Sequence, residues 1–267
     1  TDIGLELSWH RQNYPVMISL EAVAELQKLE QTAEWVEIGA AVPLSHIEAT
    51  LQGVFPSLDE MLHWFAARQV RNRATLGGNI GTASPIGDLP PVLLSLDAML
   101  RLASANGSRI LPLADFFKGY RQTDLQSGEV IVSILIPKAI APKAVRRLSQ
   151  SYKIGKRGTD DISIVAAAFT IDLDDRNQIL QARLAYGGVA ATPARAIAAE
   201  QFLIGKPWTI STVQQAKALL SEAFTPLTDL RGSADYRQRL IVNLFEKFFV
   251  ESGADSDVVS DLSEVPS

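Results

Sequence analysis

Residues 71–91, RNRATLGGNIGTASPIGDLPP, govern the rest of the reading. The last seventeen of them, from Thr75, hold four glycines, three prolines, one asparagine, three hydroxyl residues and a single carboxylate. A run stripped of bulk in this way lets the main chain come close to a ligand or to another segment. It contains neither G-x-G-x-x-G nor G-x-x-x-x-G-K-[ST], which argues against a Rossmann dinucleotide fold and against a P-loop. Gly77 and Gly78 in tandem permit left-handed backbone angles, from which successive amide hydrogens can converge on an anion as a nest. Thr75, Thr82 and Ser84 would add hydroxyl groups. Asp88 would repel a pyrophosphate, so its place on such a ligand is at ribose or ribityl hydroxyls. A plainer reading stands beside this one: the glycines and prolines make turns, and Asp88 caps a helix at LPPVLLSL.

Bulk properties narrow the chemistry. The chain has 267 residues and a formal net charge of −5, with signs interspersed. No basic stripe is present for counterion release, so nucleic acid and anionic membranes are poor partners. No apolar run approaches the roughly 20 residues that span a bilayer, and no charged-apolar-small leader opens the chain, which reads as cytoplasmic. Cysteine is absent, which excludes disulfides, thiolate nucleophiles, zinc ribbons and iron–sulfur ligation from these residues. Redox work would need a bound organic cofactor. His10, His46 and His63 lie in different segments with no two at helical ligand spacing, arguing against a histidine metal site. The first residue is threonine, so the chain reads as a fragment or a trimmed product of something longer.

Periodicity supplies the elements. SLEAVAELQKL, from Ser19, predicts a helix with Ala22, Val23, Leu26 and Leu29 on one face. EWVEIGAAV predicts a short buried strand, and PLSHIEATL a helix with proline near its start. SLDEMLHWFAARQ predicts a second helix, with Ser57 as cap, Glu60 completing a capping box, and Leu58, Met61, Leu62 and Phe65 in one apolar stripe. AMLRLAS, RILPL and EVIVSILIP predict an antiparallel sheet, the first two strands joined by a hairpin at ANGS. A proline-bounded linker at 136–144 marks a domain boundary. Beyond it, ISIVAAAFTIDL and ILQARLAYGGVA predict a long hairpin, followed by helices over roughly 193–203, 211–224 and 234–251. The acidic, serine-rich tail from Gly253 has little to bury and is expected to be disordered or to wrap a partner.

Thr75, Leu76, Gly77, Gly78, Asn79, Ile80, Ser84, Pro85 and Asp88 meet every fixed position of the pattern T-[IL]-G-G-N-[IL]-x(3)-S-P-x-x-D. This stretch resembles the flavin-binding loop of the xanthine dehydrogenase family, within the molybdenum hydroxylases. Further stretches resemble successive landmarks of that family: FFKGYR at 116–121, GEVIVSILIP at 128–137, YKIGKRGTDDIS at 152–163, AYGGVAATPARA at 185–196 and FTPLTDLRGSADYR at 224–237. The resemblance implies an α+β fold. An FAD-binding domain of the PCMH type, with antiparallel sheet and helices, would occupy residues 1–140 and lack its N-terminal part. A smaller α+β C-terminal domain resembling that of the carbon monoxide dehydrogenase flavoprotein would occupy 144–252, followed by the acidic tail at 253–267.

The same resemblance implies a set of FAD contacts. Ala74, Thr75, Leu76, Gly77 and Gly78 would hold the cofactor with Asn79, Thr82 and Ser84 nearby, and Asp88 would lie on its polar chain. Phe65 matches an aromatic at the flavin ring, although its stripe position favours plain core packing. Ile131 matches a strand residue of the isoalloxazine pocket and also fits an ordinary strand position. Lys153 matches a lysine at the flavin's carbonyl edge, where a cation stabilises negative charge on the reduced ring; it also fits a solvated lysine before a turn. GKRGTDD would be a mobile loop near the nicotinamide site, making Arg157, Asp160 and Asp161 candidates for gating or NAD contact, or simply a charged loop. The family's first pyrophosphate loop has the form [AV]-G-G-T-[DE]-[IV], and the chain opens with TDIG. Thr1, Asp2, Ile3 and Gly4 would be its surviving half, with weakened FAD retention as the consequence.

The implied function is electron relay from iron–sulfur clusters through FAD to NAD+ during purine oxidation. The iron–sulfur domain would lie in a missing N-terminal segment and the molybdenum cofactor on a partner subunit, making a hetero-oligomer. Two alternatives share the loop: the flavoprotein subunit of another molybdenum hydroxylase, such as a carbon monoxide dehydrogenase, aldehyde oxidase or aromatic-CoA reductase, and a non-catalytic assembly module.

Overall fold

A computed structural model describes residues 1–158 and 160–253, so the tail expected from Gly253 lies outside the described residues except for Gly253 itself. The first half runs α1 (Asp2–Ser8), β1 (Leu29–Gln31), β2 (Trp35–Gly39), α2 (Leu44–Thr50), α3 (Pro56–Trp64), α4 (Arg68–Arg71) and α5 (Leu76–Gly81). It continues through α6 (Leu89–Ser95), β3 (Met99–Ser104), β4 (Gly107–Pro112), β5 (Phe117–Gly119), β6 (Gln122–Thr123) and β7 (Val130–Pro137). Its main sheet is antiparallel, in the order β1-β2-β7-β3-β4. The second half runs β8 (Arg146–Ile154), β9 (Val165–Leu173), β10 (Ile179–Gly187), β11 (Ala194–Arg195), α7 (Ile197–Leu203), α8 (Ile210–Glu222) and α9 (Ala234–Glu251). Its four strands form an antiparallel sheet in the order β11-β10-β9-β8. The architecture is two-domain α+β, as the sequence implies.

Side-chain size explains how the layers close. α6 is buried at every position, because it lies between the sheets and touches β9 and β10 as well as α3 and α5. Its two prolines stand in the first turn, where their missing amides cost no helical bond. β9 is likewise buried throughout. Ala166 and Ala168 join the core of the first half, while Ala167, Phe169 and Ile171 join a second core containing Phe245 and Phe249 of α9. Alternation of period two thus sends successive side chains to two different helical layers. The alanines let α6 approach, and the aromatics on the other face fill the wider gap to α9.

Three sequence expectations give way. Residues 19–29 are not a helix: a 3-10 turn covers Ala24–Gln27 and β1 begins at Leu29. The expected stripe finds no surface to cover it, since Leu26 is buried while Ile18, Leu20 and Val23 stay exposed, and a short helix without a buried face is marginal. α3 begins one residue earlier than its expected cap. Phe55 is the N-cap and Pro56 the first helical residue. Ser57 is buried inside the helix, its carbonyl accepting from Ser151 Oγ at 2.7 Å, and Glu60 bonds Trp64 Nε1 at 2.8 Å instead of closing a capping box. The helix stops at Trp64, which leaves Phe65 outside its stripe. The helix expected from 193 starts at Ile197, because Ala194 and Arg195 pair with β10.

Candidate functional site

The main cleft has a volume of about 690 Å³ and opens between the first residues of the chain and α5. Thr1, Asp2 and Ile3 line it together with Ala74, Thr75, Gly78, Asn79 and Thr82, and Phe65 lines it as well. The structure therefore brings together the two segments whose union the sequence implies. Gly4 lies outside the lining, and Leu76 and Gly77 are buried behind it. Arg73 and Arg121 also reach the cleft, as do His10 and Glu6, none of which the motif marks. Arg121 sits in FFKGYR with φ of 51°, a left-handed turn residue whose exposure no periodicity signals.

The glycine pair is not a left-handed nest. Gly77 and Gly78 belong to α5, and within residues 75–91 the one positive φ is 46° at Ala83. Their amides are engaged internally: Gly77 donates to the Ala40 carbonyl at 3.2 Å and Gly78 to Thr75 Oγ1 at 3.0 Å, while Asn79 donates to the Thr75 carbonyl at 3.0 Å. Glycine is required at 77 for space, because a Cβ there would stand 2.6 Å from Ala40 Cβ. At 78 a Cβ would meet Thr75 Oγ1 at 3.0 Å and otherwise project into open space. A short helix capped by Thr75 forms the wall in place of a loop wrapped round an anion.

Asn79 carries an unmet demand. Its Oδ1 is buried with no hydrogen-bond partner, although the residue borders the cleft. Buried acceptors are ordinarily paired, so an orphan beside a cavity calls for a donor from whatever fills it. Thr82 Oγ1 lies 3.0 Å from the Gly78 carbonyl and 3.4 Å from Asp2 Oδ2, tying α5 to the first residues. Ser84 shapes the following turn, accepting from the Ile86 amide at 3.4 Å. Pro85 offers its carbonyl to the Gly188 amide at 2.7 Å, which docks the GG of AYGGVA onto the turn.

Asp88 and Lys153 meet each other. Lys153 Nζ lies 2.7 Å from Asp88 Oδ2, and Ser163 Oγ donates to Asp88 Oδ1. Lys153 is not solvated, since its side chain is 4% exposed and its ammonium stands 5.8 Å from the centre of the Phe65 ring. Asp88 occupies the N-cap position of α6, yet its carboxylate makes no cap bond there. Ile131 is buried on β7 with its Cδ1 facing Gly81 of α5. Asp161 organises the loop after Lys153: its Oδ2 accepts from the amides of Lys156 at 2.6 Å and Arg157 at 2.8 Å, its Oδ1 from Ile162 at 2.9 Å. These bonds, led by that of Arg157, hold its carboxyl below the usual range. Arg157 is exposed and Asp160 is left-handed with φ of 52°, while Thr159 lies outside the described residues.

Two α+β domains share a core, and a cleft lies beside the short helix capped by Thr75. Residues 1–139 match the family described as the FAD binding domain in molybdopterin dehydrogenase, and residues 150–252 the CO dehydrogenase flavoprotein C-terminal domain. The chain belongs to this molybdenum hydroxylase family and comprises its FAD-binding part. It is 35% identical over 266 residues to xanthine dehydrogenase 1 of Arabidopsis thaliana, covering 94% of this chain and 19% of the relative. It is 36% identical over 267 residues to the xanthine dehydrogenase of Blastobotrys adeninivorans, covering 93% and 19%. The chain thus spans about a fifth of the length of these relatives. Among solved structures it superimposes on quinoline 2-oxidoreductase from Pseudomonas putida 86 with a TM-score of 0.77 at 31% identity, covering 87% of this chain and 79% of that one. The cyanide-inactivated Cu,Mo-CO dehydrogenase gives 0.78 at 25%, covering 85% and 78%.

Among the described residues no helix is long and apolar enough to cross a membrane, and no group of three or more His, Cys, Asp or Glu side chains is placed to hold a metal ion.

Proposed function

We propose that the cleft between Thr1–Ile3 and α5 holds FAD, and that the whole protein uses it to relay electrons to NAD+ during purine oxidation. The orphaned Asn79 Oδ1 carries this reading, because it supplies an acceptor for a ligand hydroxyl or N–H at the one wall where the side chains are smallest. The residues of the wall fit such an occupant. Gly78 leaves the cleft side open, Thr75 and Thr82 offer hydroxyls, and Phe65 offers a ring near Lys153. Leu76, Gly77 and Ser84 would act from behind by shaping α5 and its turn, and Ile131 by packing against α5. Asp88 would act chiefly by holding Lys153, whose buried ammonium favours negative charge nearby.

FAD, when bound, would supply the exchange between single electrons from iron–sulfur clusters and the electron pair taken by NAD+. Clusters would come from an iron–sulfur domain outside these residues and purine hydroxylation from a molybdenum-cofactor subunit, in a cytoplasmic hetero-oligomer. Residues 1–140 would form the FAD-binding domain and 144–252 the C-terminal domain. Arg157 and Asp160, exposed on a loop shaped by Asp161, would be the candidates for NAD contact.

Titration with FAD, followed by flavin absorbance, tests the site: the unaltered protein should bind, and Asn79→Leu should weaken binding by about tenfold, the cost of one lost ligand hydrogen bond. Equal affinity in both would remove Asn79 from the site. NADH-to-dye activity of the flavin-loaded whole protein tests the acceptor. A loaded preparation inert toward NADH would favour the acceptor chemistry of other molybdenum hydroxylases, a reading supported by the 31% identity to quinoline 2-oxidoreductase.

A further inference from the structure

Arg71 does not itself line the cleft, yet its guanidinium bonds two residues that do. Its Nη1 donates to two successive carbonyls, Phe65 O at 2.8 Å and Ala66 O at 2.7 Å. Its Nε lies 3.3 Å from Glu48 Oε2 of α2, and its side chain is 13% exposed. Between the two carbonyls the backbone takes an unusual course. Ala66 is left-handed with φ of 45°, a conformation that a residue with a Cβ keeps only when its surroundings enforce it. The reversal from α3 to α4 is therefore held by one part-buried cation that bonds the peptide groups on both sides of Ala66.

Phe65 and Ala66 both line the cleft, and the Phe65 ring lies beneath the Lys153 ammonium. We infer that Arg71 is a positioning residue for FAD binding: by fixing the two carbonyls it sets the angle at which the Phe65 ring is presented to the flavin. The inference rests on the FAD reading of the cleft. Arginine suits this role because one guanidinium nitrogen carries two hydrogens for two carbonyls while the rest of the fork reaches Glu48. Lysine has a point charge that reaches the carbonyls but cannot also keep the planar arrangement with Glu48. Glu48 is thus the anchor, Arg71 the strut and Phe65 the surface delivered to the ligand.

The test uses the whole protein with Arg71→Met, Arg71→Lys, Phe65→Ala and the Arg71→Met/Phe65→Ala double variant. FAD affinity is followed by flavin fluorescence and absorbance. Hydrogen exchange at residues 65–70 is followed without FAD. Arg71→Met should bind FAD about tenfold more weakly, since charged hydrogen bonds are lost. It should shift the flavin spectrum in the same sense as Phe65→Ala and speed exchange at 65–70. Arg71→Lys should fall between it and the unaltered protein. On the Phe65→Ala background, Arg71→Met should change affinity by less than about twofold, the non-additivity of residues acting through one contact. Losses that multiply in the double variant, or a folded Arg71→Met with unchanged exchange and spectrum, would overturn the inference. If Arg71→Met fails to fold, Arg71→Lys with unchanged exchange and affinity would do the same. Failure of the unaltered protein to bind FAD would instead reject the cofactor reading, while the exchange data still decide whether Arg71 holds the turn.

Discussion

Gly77 and Gly78 stand side by side and answer to different constraints. Gly77 faces inward, where a Cβ would fall 2.6 Å from both the Cβ and the carbonyl oxygen of Ala40; Gly78 faces the cleft, where a Cβ would meet Thr75 Oγ1 at 3.0 Å and then open space. Alanine at the two positions should therefore do different damage. Gly77→Ala should destabilise the fold by about 2 kcal/mol through overpacking, read as a lower urea midpoint with unchanged slope. Gly78→Ala should cost at most about 1 kcal/mol through its cap hydroxyl, yet reduce FAD affinity several-fold. Equal stability losses from the two would mean that the inner and outer faces of α5 are wrongly assigned. The motif marks both positions in the sequence but cannot tell them apart, because the reason for Gly77 is Ala40, thirty-seven residues upstream. Asp88 and Lys153 are legible in the same incomplete way. Each is identifiable as a candidate, and only the fold shows that they satisfy each other.

Elements whose pattern is local are the ones the sequence reveals. β2, β3, β4, β7, the β9–β10 hairpin and α9 lie where alternation and apolar spacing put them. The failures have a common cause in long-range packing. Residues 19–29 carry a helical stripe with nothing to bury it, and Ser57 has the chemistry of a cap but is taken by Ser149 and Ser151 of β8. α5 reads in the sequence as a glycine-rich loop and is a helix, since Thr75 caps it and Ala40 accepts the Gly77 amide. The alanines of β9 show the same dependence. VAAAF reads as a buried strand, but the reason for Ala166 and Ala168 is α6, which crosses that face. Ala168→Leu should consequently cost about 1–3 kcal/mol by driving a larger side chain into α6, whereas the same change on a face exposed to water would cost little. A thermal midpoint unchanged within error would show that α6 does not press on β9 as described.

Charge pairs tie the molecule together and set its response to acid. Arg109 grips Glu129 with both arms at 2.8 Å and reaches Asp124 at 2.6 Å. That fork, with the Gln126 amide, takes the Glu129 carboxyl from 4.5 to about 2. Asp124, Asp161 and Glu246 are lowered as well, each chiefly by hydrogen bonds from a cationic side chain or a loop amide. A carboxyl lowered in the folded state contributes stability that is fully present above its unfolded value and is lost as pH falls through the folded value. For Glu129 that window runs from 4.5 down to about 2. Stability should decline across it, and Arg109→Met should flatten the decline by returning Glu129 toward its ordinary value. Urea midpoints between pH 5 and pH 2.5 read this directly. Parallel curves for the two proteins would mean that the fork does not hold in solution.

The two domains are joined by more than the linker. Ala166, Ala168 and Ala185 of the second sheet belong to the same core as Leu58, Leu93 and Ile134 of the first half. An ionic chain crosses the same boundary. Asp97, following α6, bonds Arg183 Nε of β10 through one oxygen and Arg195 Nη1 at 2.8 Å through the other; Arg195 continues to Glu200 at 2.7 Å. Arg183 is the most costly member of this arrangement to bury, being 7% accessible to water, with Nη1 lacking a hydrogen bond and 3.9 Å from Asp172. Burial lowers its pKa, and Asp97 and Asp172 oppose that shift. Asp97 also holds φ at 52°, which asparagine tolerates as well as aspartate does, so Asp97→Asn removes the charge and leaves the turn. The substitution should cost about 2–3 kcal/mol, less than a fully buried pair because Asp97 retains some contact with water. A shared core requires that the loss appear as one shifted transition, with near-ultraviolet and far-ultraviolet circular dichroism superimposing. Two separated transitions, or a loss confined to one probe, would show that the domains unfold independently and that the ionic chain links bodies already stable apart.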